Sequence, residues 1–147
     1  MKIKSIKLLK EGVDIEWQTP QGPAIVTHNI KNGASPAPSL RNAIDDLKSD
    51  VRELMEVPEK WMETVEVKGL NLTHDDENGM DVTISFTRRF KSGRAQGFPT
   101  PRVRERVDHT QNGSSFMSEE LQAKVNAIIT ETERYINGFR EQTEHAA

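Results

Sequence analysis

The chain has 147 residues, with 20 lysines and arginines against 23 aspartates and glutamates and a formal net charge of −3. Its length fits one domain, taken as residues 1–141 with a fraying tail at 142–147, and its 34% hydrophobic residues are enough for one core. The lack of cysteine excludes disulfides, a cysteine nucleophile and thiolate zinc sites, and no apolar run approaches the ~18–20 residues that span a bilayer. The opening MKIKSIKLLKEG has no long apolar stretch of the signal-peptide kind, so no membrane association and a cytoplasmic location are expected.

Residues 1–10 read as a strand in which Ile6 and Leu8 alternate with Lys7, while Ile3 is out of phase, as a bulge near Ser5 would produce. Glu11-Gly12 turns the chain into Val13, Ile15 and Trp17, which alternate with Asp14 and Glu16. Thr19 to Pro23 is expected to break the chain before a third strand over Ala24–Ile30. Asn32 to Pro38 is a proline- and glycine-bearing loop, and Ser39 is the expected N-cap of a helix of about four turns. Leu40, Ala43, Ile44, Leu47, Val51, Leu54 and Met55 mark its buried side, and Val57-Pro58 ends it, with a short helical turn expected at Pro58–Glu63.

Val65 and Val67 share a face in the next strand, and Leu70 and Leu72 fall one residue out of phase, with Gly69 at the slip. After the HDDENG turn (74–79), Val82, Ile84 and Phe86 point inward on a returning strand that becomes basic as it leaves the core. Ser92-Gly93 is a turn, Gly97–Pro101 is extended, and Arg102, Arg104 and Arg106 alternate with valines in a short edge strand. Beyond the loop at 108–115, Ser118 caps a last helix with Glu119 and Glu120 in its first turn. Its buried stripe is Leu121, Val125, Ile128, Thr132, Tyr135, Ile136 and Phe139. The order β-β-β-α-β-β-(β)-α predicts an α+β fold, a mainly antiparallel sheet of five or six strands with two helices packed on one face.

Several of these segments resemble small phage-encoded proteins of unknown function. The resemblance rests on the Leu-Met-Glu-Val-Pro helix end (54–58), the strand Val65-Glu66-Val67-Lys68-Gly69-Leu70-Asn71-Leu72-Thr73, the return Val82-Thr83-Ile84, and Pro99-Thr100-Pro101. It covers about two-thirds of the chain, from the first hairpin through Pro101. It implies a phage setting, with the host cytoplasm as location, and by association a role in replication, recombination or evasion of host defences. It supplies no catalytic residues, and the arginine density after Phe86 and the long last helix stand outside its pattern.

The charge is unevenly distributed. Between residues 88 and 106 stand Arg88, Arg89, Lys91, Arg94, Arg102, Arg104 and Arg106 against one acid, Glu105, which leaves thirteen cations and twenty-two acids elsewhere. Clustered cations bind phosphates, and Phe90 and Phe98 are candidates for stacking on unpaired bases. The plainer alternative is that these arginines pair with the protein's own acids, or those of a second copy, and that the phenylalanines are core. A net negative charge opposes strong non-specific DNA binding, and no helix-turn-helix, zinc finger, KH or RNP signature is present.

Other chemistry is weaker. His74 beside Asp75, Asp76 and Glu77 has ligand types for a hard cation but not the EF-hand spacing, and an acidic hairpin tip accounts for it. His28, His109 and His145 are scattered, and His109 beside Asp108 has no accompanying serine elbow or HExxH. Gly93-x-x-x-Gly97 lacks the Walker Lys-Ser/Thr. No catalytic residue, metal or cofactor is therefore assigned, and an enzyme is not expected. The expectation is a nucleic-acid-binding accessory protein that uses the basic segment on single-stranded or duplex nucleic acid. One alternative is a protein-interaction module with a host or phage protein as partner, in an anti-defence role inhibiting a host or defence enzyme; another is a binder of a phosphorylated small molecule. The last helix packs on the sheet or pairs across a homodimer.

Overall fold

A computed structural model describes residues 1–34, 38–75, 79–107, 113 and 115–146, with residues 139–146 described by their backbone alone. The strands are β1 (Lys2–Leu8), β2 (Val13–Gln21), β3 (Ala24–Gly33), β4 (Val65–Asp75), β5 (Gly79–Arg89), β6 (Ala95–Pro99) and β7 (Val103–Arg104). The helices are α1 (Pro38–Asp45), α2 (Lys48–Met55) and α3 (Glu119–Ala146), with a 3-10 segment at Glu59–Thr64. All strand pairs are antiparallel, in the spatial order β3-β2-β1-β4-β5-β6, and β7 also lies along β5. This is the α+β class read from the sequence, an open antiparallel sheet with one strand and one helix more than the upper expectation.

One face of the sheet is apolar. Ile6, Ile15, Leu70, Ile84 and their neighbours form a single buried cluster with Leu40, Ile44, Leu47 and Val51 of the helical pair and Leu121, Val125, Ile128 and Ile136 of α3. Lys7, Glu16, Asn71 and Ser85 lie on the other face and keep contact with solvent. Two bulges keep the apolar face continuous. The β1–β2 register shifts between Ile3 and Ser5, and the β4–β5 register shifts between Val67 and Gly69. Both stand where the hydrophobic pattern slips in the sequence. Gly69 lies directly over β1, where an added Cβ would stand 1.8 Å from the Ile6 carbonyl oxygen.

Three expectations are corrected. Strand β2 does not stop at Thr19 but runs through Pro20 to Gln21, and only Gly22-Pro23 forms the loop. Pro20 is tolerated because β1 ends at Lys2, paired with Gln18, so no neighbour asks Pro20 for an amide. Gly22, at φ +61°, takes the positive-φ position of this two-residue loop. The expected four-turn helix is two helices that meet at Asp46-Leu47. Ser39 lies inside α1 rather than capping it, and its hydroxyl donates to Glu131 Oε2 at 3.0 Å.

The break between α1 and α2 has a partner. Leu47 N–H bonds back only three residues, to Ile44, so the ladder tightens and is then restarted by Val51 N–H on the Leu47 carbonyl. Lys124 Nζ, from α3, donates to the Asp46 carbonyl (3.2 Å) and to Asp50 Oδ2 (2.9 Å). Asp50 is buried, and its partner is held protonated above the ordinary lysine range, chiefly by that hydrogen bond, against the opposing effect of burial. On α3, Ser118 Oγ accepts from Leu121 N–H as an N-cap, and Tyr135 donates to the Ala34 carbonyl at 2.6 Å. Burial pushes the Tyr135 phenol up. Phe139's side chain lies outside the described residues, as do the turn at 76–78 and most of the loops at 35–37 and 108–114.

Two outcomes follow. Gly69→Ala should cost about 3 kcal/mol, the upper range for overpacking, because the atom it meets is backbone and cannot rotate away; urea denaturation with an unchanged m-value measures it. Lys124→Met should cost about 2 kcal/mol at neutral pH by stranding a buried carboxylate. Since the folded lysine's pKa is raised, the pair's contribution is whole below the ordinary lysine range and is lost as pH rises through the raised value. The stability gap between wild type and variant should therefore close in that alkaline window.

Candidate nucleic-acid interface

Strand β5 organises the basic segment, because β6 and β7 both return along it. Phe90 N–H donates to the Arg94 carbonyl (2.8 Å) and Gly93 N–H to the Phe90 carbonyl (2.9 Å), which closes a tight turn with Gly93 at φ +86°. Strand β6 then pairs Arg88 with Gln96 and Ser85 with Pro99. Between two prolines that have no amide to give, Thr100 fixes the register: its N–H donates to the Ile84 carbonyl, and its Oγ1 accepts from Ile84 N–H, both at 2.9 Å. Beyond this kink β7 pairs Val103 with Val82 and Arg104 with Asp81. Glu105 Oε1 then accepts from Met80 N–H at 2.9 Å.

This path carries the seven cations to opposite ends of β5. Asp81 and Arg89 are eight residues apart on one strand, roughly 27 Å. At the Asp81 end, Arg104 Nε donates to Asp81 Oδ1 at 2.9 Å, and Arg102 Nη1 lies 3.7 Å from Oδ2. The Arg104 guanidinium is raised further above its ordinary value, first by the Asp81 hydrogen bond and then by the Asp81 charge, against a lesser effect of burial. Arg106 is held through its backbone, with its N–H donating to Gln122 Oε1 (3.0 Å). It lines a hollow of about 550 Å³ together with Asp50, Glu53 and Glu56. Arg102 and Arg104 thus stand beside this protein's own Asp81, whereas Arg106 is held through its backbone, with its Nε buried and without a partner.

The other end is different. The Arg88 guanidinium carbon lies 3.5 Å from the centre of the Trp61 ring and 5.3 Å from that of Phe90. Arg88 continues the inward row of Val82, Ile84 and Phe86, so its stem leaves the core beneath the 3-10 segment that carries Trp61. No carboxylate lies within ion-pair distance of it among the described residues. Arg89, Lys91 and Arg94 stand exposed around the adjoining turn, also without a carboxylate partner among the described residues. The structure therefore brings together Arg88, Arg89, Lys91 and Arg94 and separates them from Arg102, Arg104 and Arg106.

The aromatic candidates also divide. Phe98 faces Phe86 across β5–β6 at a centroid distance of 5.7 Å and is half-buried. Phe90 stays at the turn beside Arg88. Trp61 is the functional candidate missed by sequence reasoning: it lies 27 positions before Arg88, in a segment with only a short helical signal. A tryptophan in a charged segment, Glu59-Lys60-Trp61-Met62-Glu63, was the signal available. From the same end of β5, the solvent face of the sheet forms an open hollow of about 560 Å³, lined among others by Lys7, Lys31, Lys68, Asn71, Thr87 and Gly97.

The remaining candidates have structural tasks. His74 Nε2 donates to the Ile3 carbonyl at 2.8 Å and so anchors the β1 bulge, while His28 stacks on Trp17 at 5.2 Å and hydrogen-bonds Thr19. Asp76, Glu77 and His109 lie outside the described residues, as does the side chain of His145. Among the described residues no group of three potential ligands converges on a metal position, and no helix is long and apolar enough to cross a membrane. Of the described part of the α3 stripe, Leu121, Val125, Ile128, Thr132 and Ile136 are buried within a single chain and Tyr135 is half-buried. No protein-family model, curated protein or solved structure matches this chain.

A double-mutant cycle on Trp61→Ala and Arg88→Ala, followed by chemical denaturation, should give a coupling of about 1 kcal/mol, as expected for a partly desolvated cation over an indole.

Proposed function

We propose that this protein binds nucleic acid through phosphate contacts at the Arg88–Arg94 end of the sheet, as an accessory protein of phage-type replication or recombination. The observation that carries the reading is Arg88, a cation 3.5 Å from the centre of the Trp61 ring without a carboxylate partner among the described residues, next to three exposed cations on a tight turn. A stacked guanidinium loses little side-chain freedom on binding a phosphate; the Arg88 Nε is itself buried without an acceptor, so only the terminal nitrogens are left to donate to an anion. Arg89, Lys91 and Arg94 add exposed charge that no carboxylate pairs with among the described residues, although Glu66 lies opposite Thr87 on β4, so an anion is oriented toward the turn itself. Phe90 and Trp61 supply ring faces beside the phosphate site, which favours an unpaired strand over a duplex. The solvent face of the sheet carries Lys7 and Lys31 but also Asp14 and the Glu66–Lys68 pair, so it adds little net charge to this path. The acidic remainder limits affinity, so binding is weak and steep in salt.

Fluorescence anisotropy with labelled single-stranded and duplex DNA across a salt series tests this. Arg89→Ala, Lys91→Ala and Arg94→Ala combined should abolish binding or lower the salt slope by roughly two units, about 0.7 per lost single-strand phosphate contact. Arg102→Ala with Arg104→Ala, at the other end of β5, should change affinity by less than about twofold, since neither faces the phosphate path. No binding by the wild type at low salt, or equal losses from the two sets of variants, overturns the reading.

A further inference from the structure

The two edges of the sheet are built differently. The β6–β7 edge is interrupted: Pro99 and Pro101 offer no amide, Thr100 turns its groups onto Ile84, and β7 is two residues long with arginines beside it. Prolines, kinks, short strands and charges are the devices that keep an edge from pairing with another chain. The β3 edge has none of them from Ala24 to Ile30. That stretch is uncharged and without proline, contains the β-branched residues Ile25, Val26, Thr27 and Ile30, and leaves Ile25 71% exposed.

The register shows which backbone groups face outward. Pro20 stands opposite Ile25. Proline has no amide, so this cannot be a pair that exchanges two hydrogen bonds. Antiparallel pairs alternate, so Gln18–Thr27 and Glu16–Asn29 are of the same wide kind as Pro20–Ile25. Ile25, Thr27 and Asn29 therefore direct their N–H and C=O groups away from β2, toward the open edge.

We propose that β3 pairs with β3 of a second copy of this chain, antiparallel about a two-fold axis at Thr27, so that one sheet runs through both molecules. Thr27 then faces its own equivalent and Ile25 faces Asn29, with about six backbone hydrogen bonds across the seam. Val26 and His28, half-buried on the helix side, meet their counterparts and extend the apolar face. The occupant is a second copy because this edge is complementary to itself: its outward groups are symmetric about Thr27, and no charge in the stretch repels its twin. The guarded opposite edge decides the assembly. Pairing of β3 with β6 would propagate as a filament, whereas β3 with β3 closes after two copies. This surface is five strand spacings, roughly 24 Å, from the β6 edge and independent of the phosphate site.

Light scattering coupled to size exclusion, on the full chain over micromolar to millimolar concentrations, tests the proposal. The wild type should move from 16.6 kDa toward twice that mass. Thr27→Lys and Thr27→Glu each place like charges face to face only at the two-fold, and each should be monomeric with an unchanged circular dichroism spectrum. Mixed in equal amounts, the two variants should recover the dimer, because opposite charges then face one another. A wild type that stays at 16.6 kDa, or a dimer indifferent to both substitutions, overturns the proposal. Variants that are monomeric apart and remain so when mixed overturn the axis at Thr27.

Discussion

The fold depends on the contact between Gly69 and the Ile6 carbonyl. Strand β4 must bury Val65 and Val67 toward one end and Leu70 and Leu72 toward the other, and strict alternation would send these pairs to opposite faces. The bulge corrects the phase, and a bulge throws backbone toward the neighbouring strand. Only a residue without a side chain lets β1 lie close enough to keep pairing, with Ile6 opposite Leu70 and Lys7 opposite Gly69. Every strand after β4 takes its register from this point, since β5 pairs along nearly the whole of β4 and β6 and β7 are both laid along β5.

Where local chemistry decides structure, the sequence was readable. The two bulges, the hairpin of β4 and β5, the Ser92-Gly93 turn, the 3-10 segment after Pro58 and the cap at Ser118 all follow from spacing or from residues with one conformational use. Misreadings came where a tertiary partner decides. The break at Asp46-Leu47 lies inside an unbroken apolar periodicity and is matched to Lys124, 77 residues beyond Leu47. Pro20 looks like a strand breaker until the end of β1 is known, because its cost depends on whether a neighbour requires an amide.

The basic segment shows the same division. Seven cations in nineteen residues look like one surface in sequence. The kink at Thr100 folds the segment back along β5, so residues close in sequence end at opposite ends of a strand. Asp81 then takes two arginines, and the Trp61 ring takes one. What fixes Arg102, Arg104 and Arg88 is a partner, an acid at one end and an aromatic ring at the other, and that pairing is invisible to a charge count. The exposed cations around Gly93 are the part of the cluster that the fold itself does not use.

The order of the strands has a kinetic consequence. The sheet is two meanders, β3-β2-β1 and β4-β5-β6, whose internal connections are hairpins, and the seam between them pairs only Ser5 to Lys7 with Gly69 to Asn71. Each meander gains its contacts by closing short loops, whereas the seam must bring together stretches separated by about sixty residues and pays the larger closure entropy for fewer bonds. The molecule is thus divided along its middle, with the N-terminal strand as one lip of the division and the helices laid across it as the cover. Cooperativity between the two halves rests on that cover and on the narrow strip of backbone around Gly69.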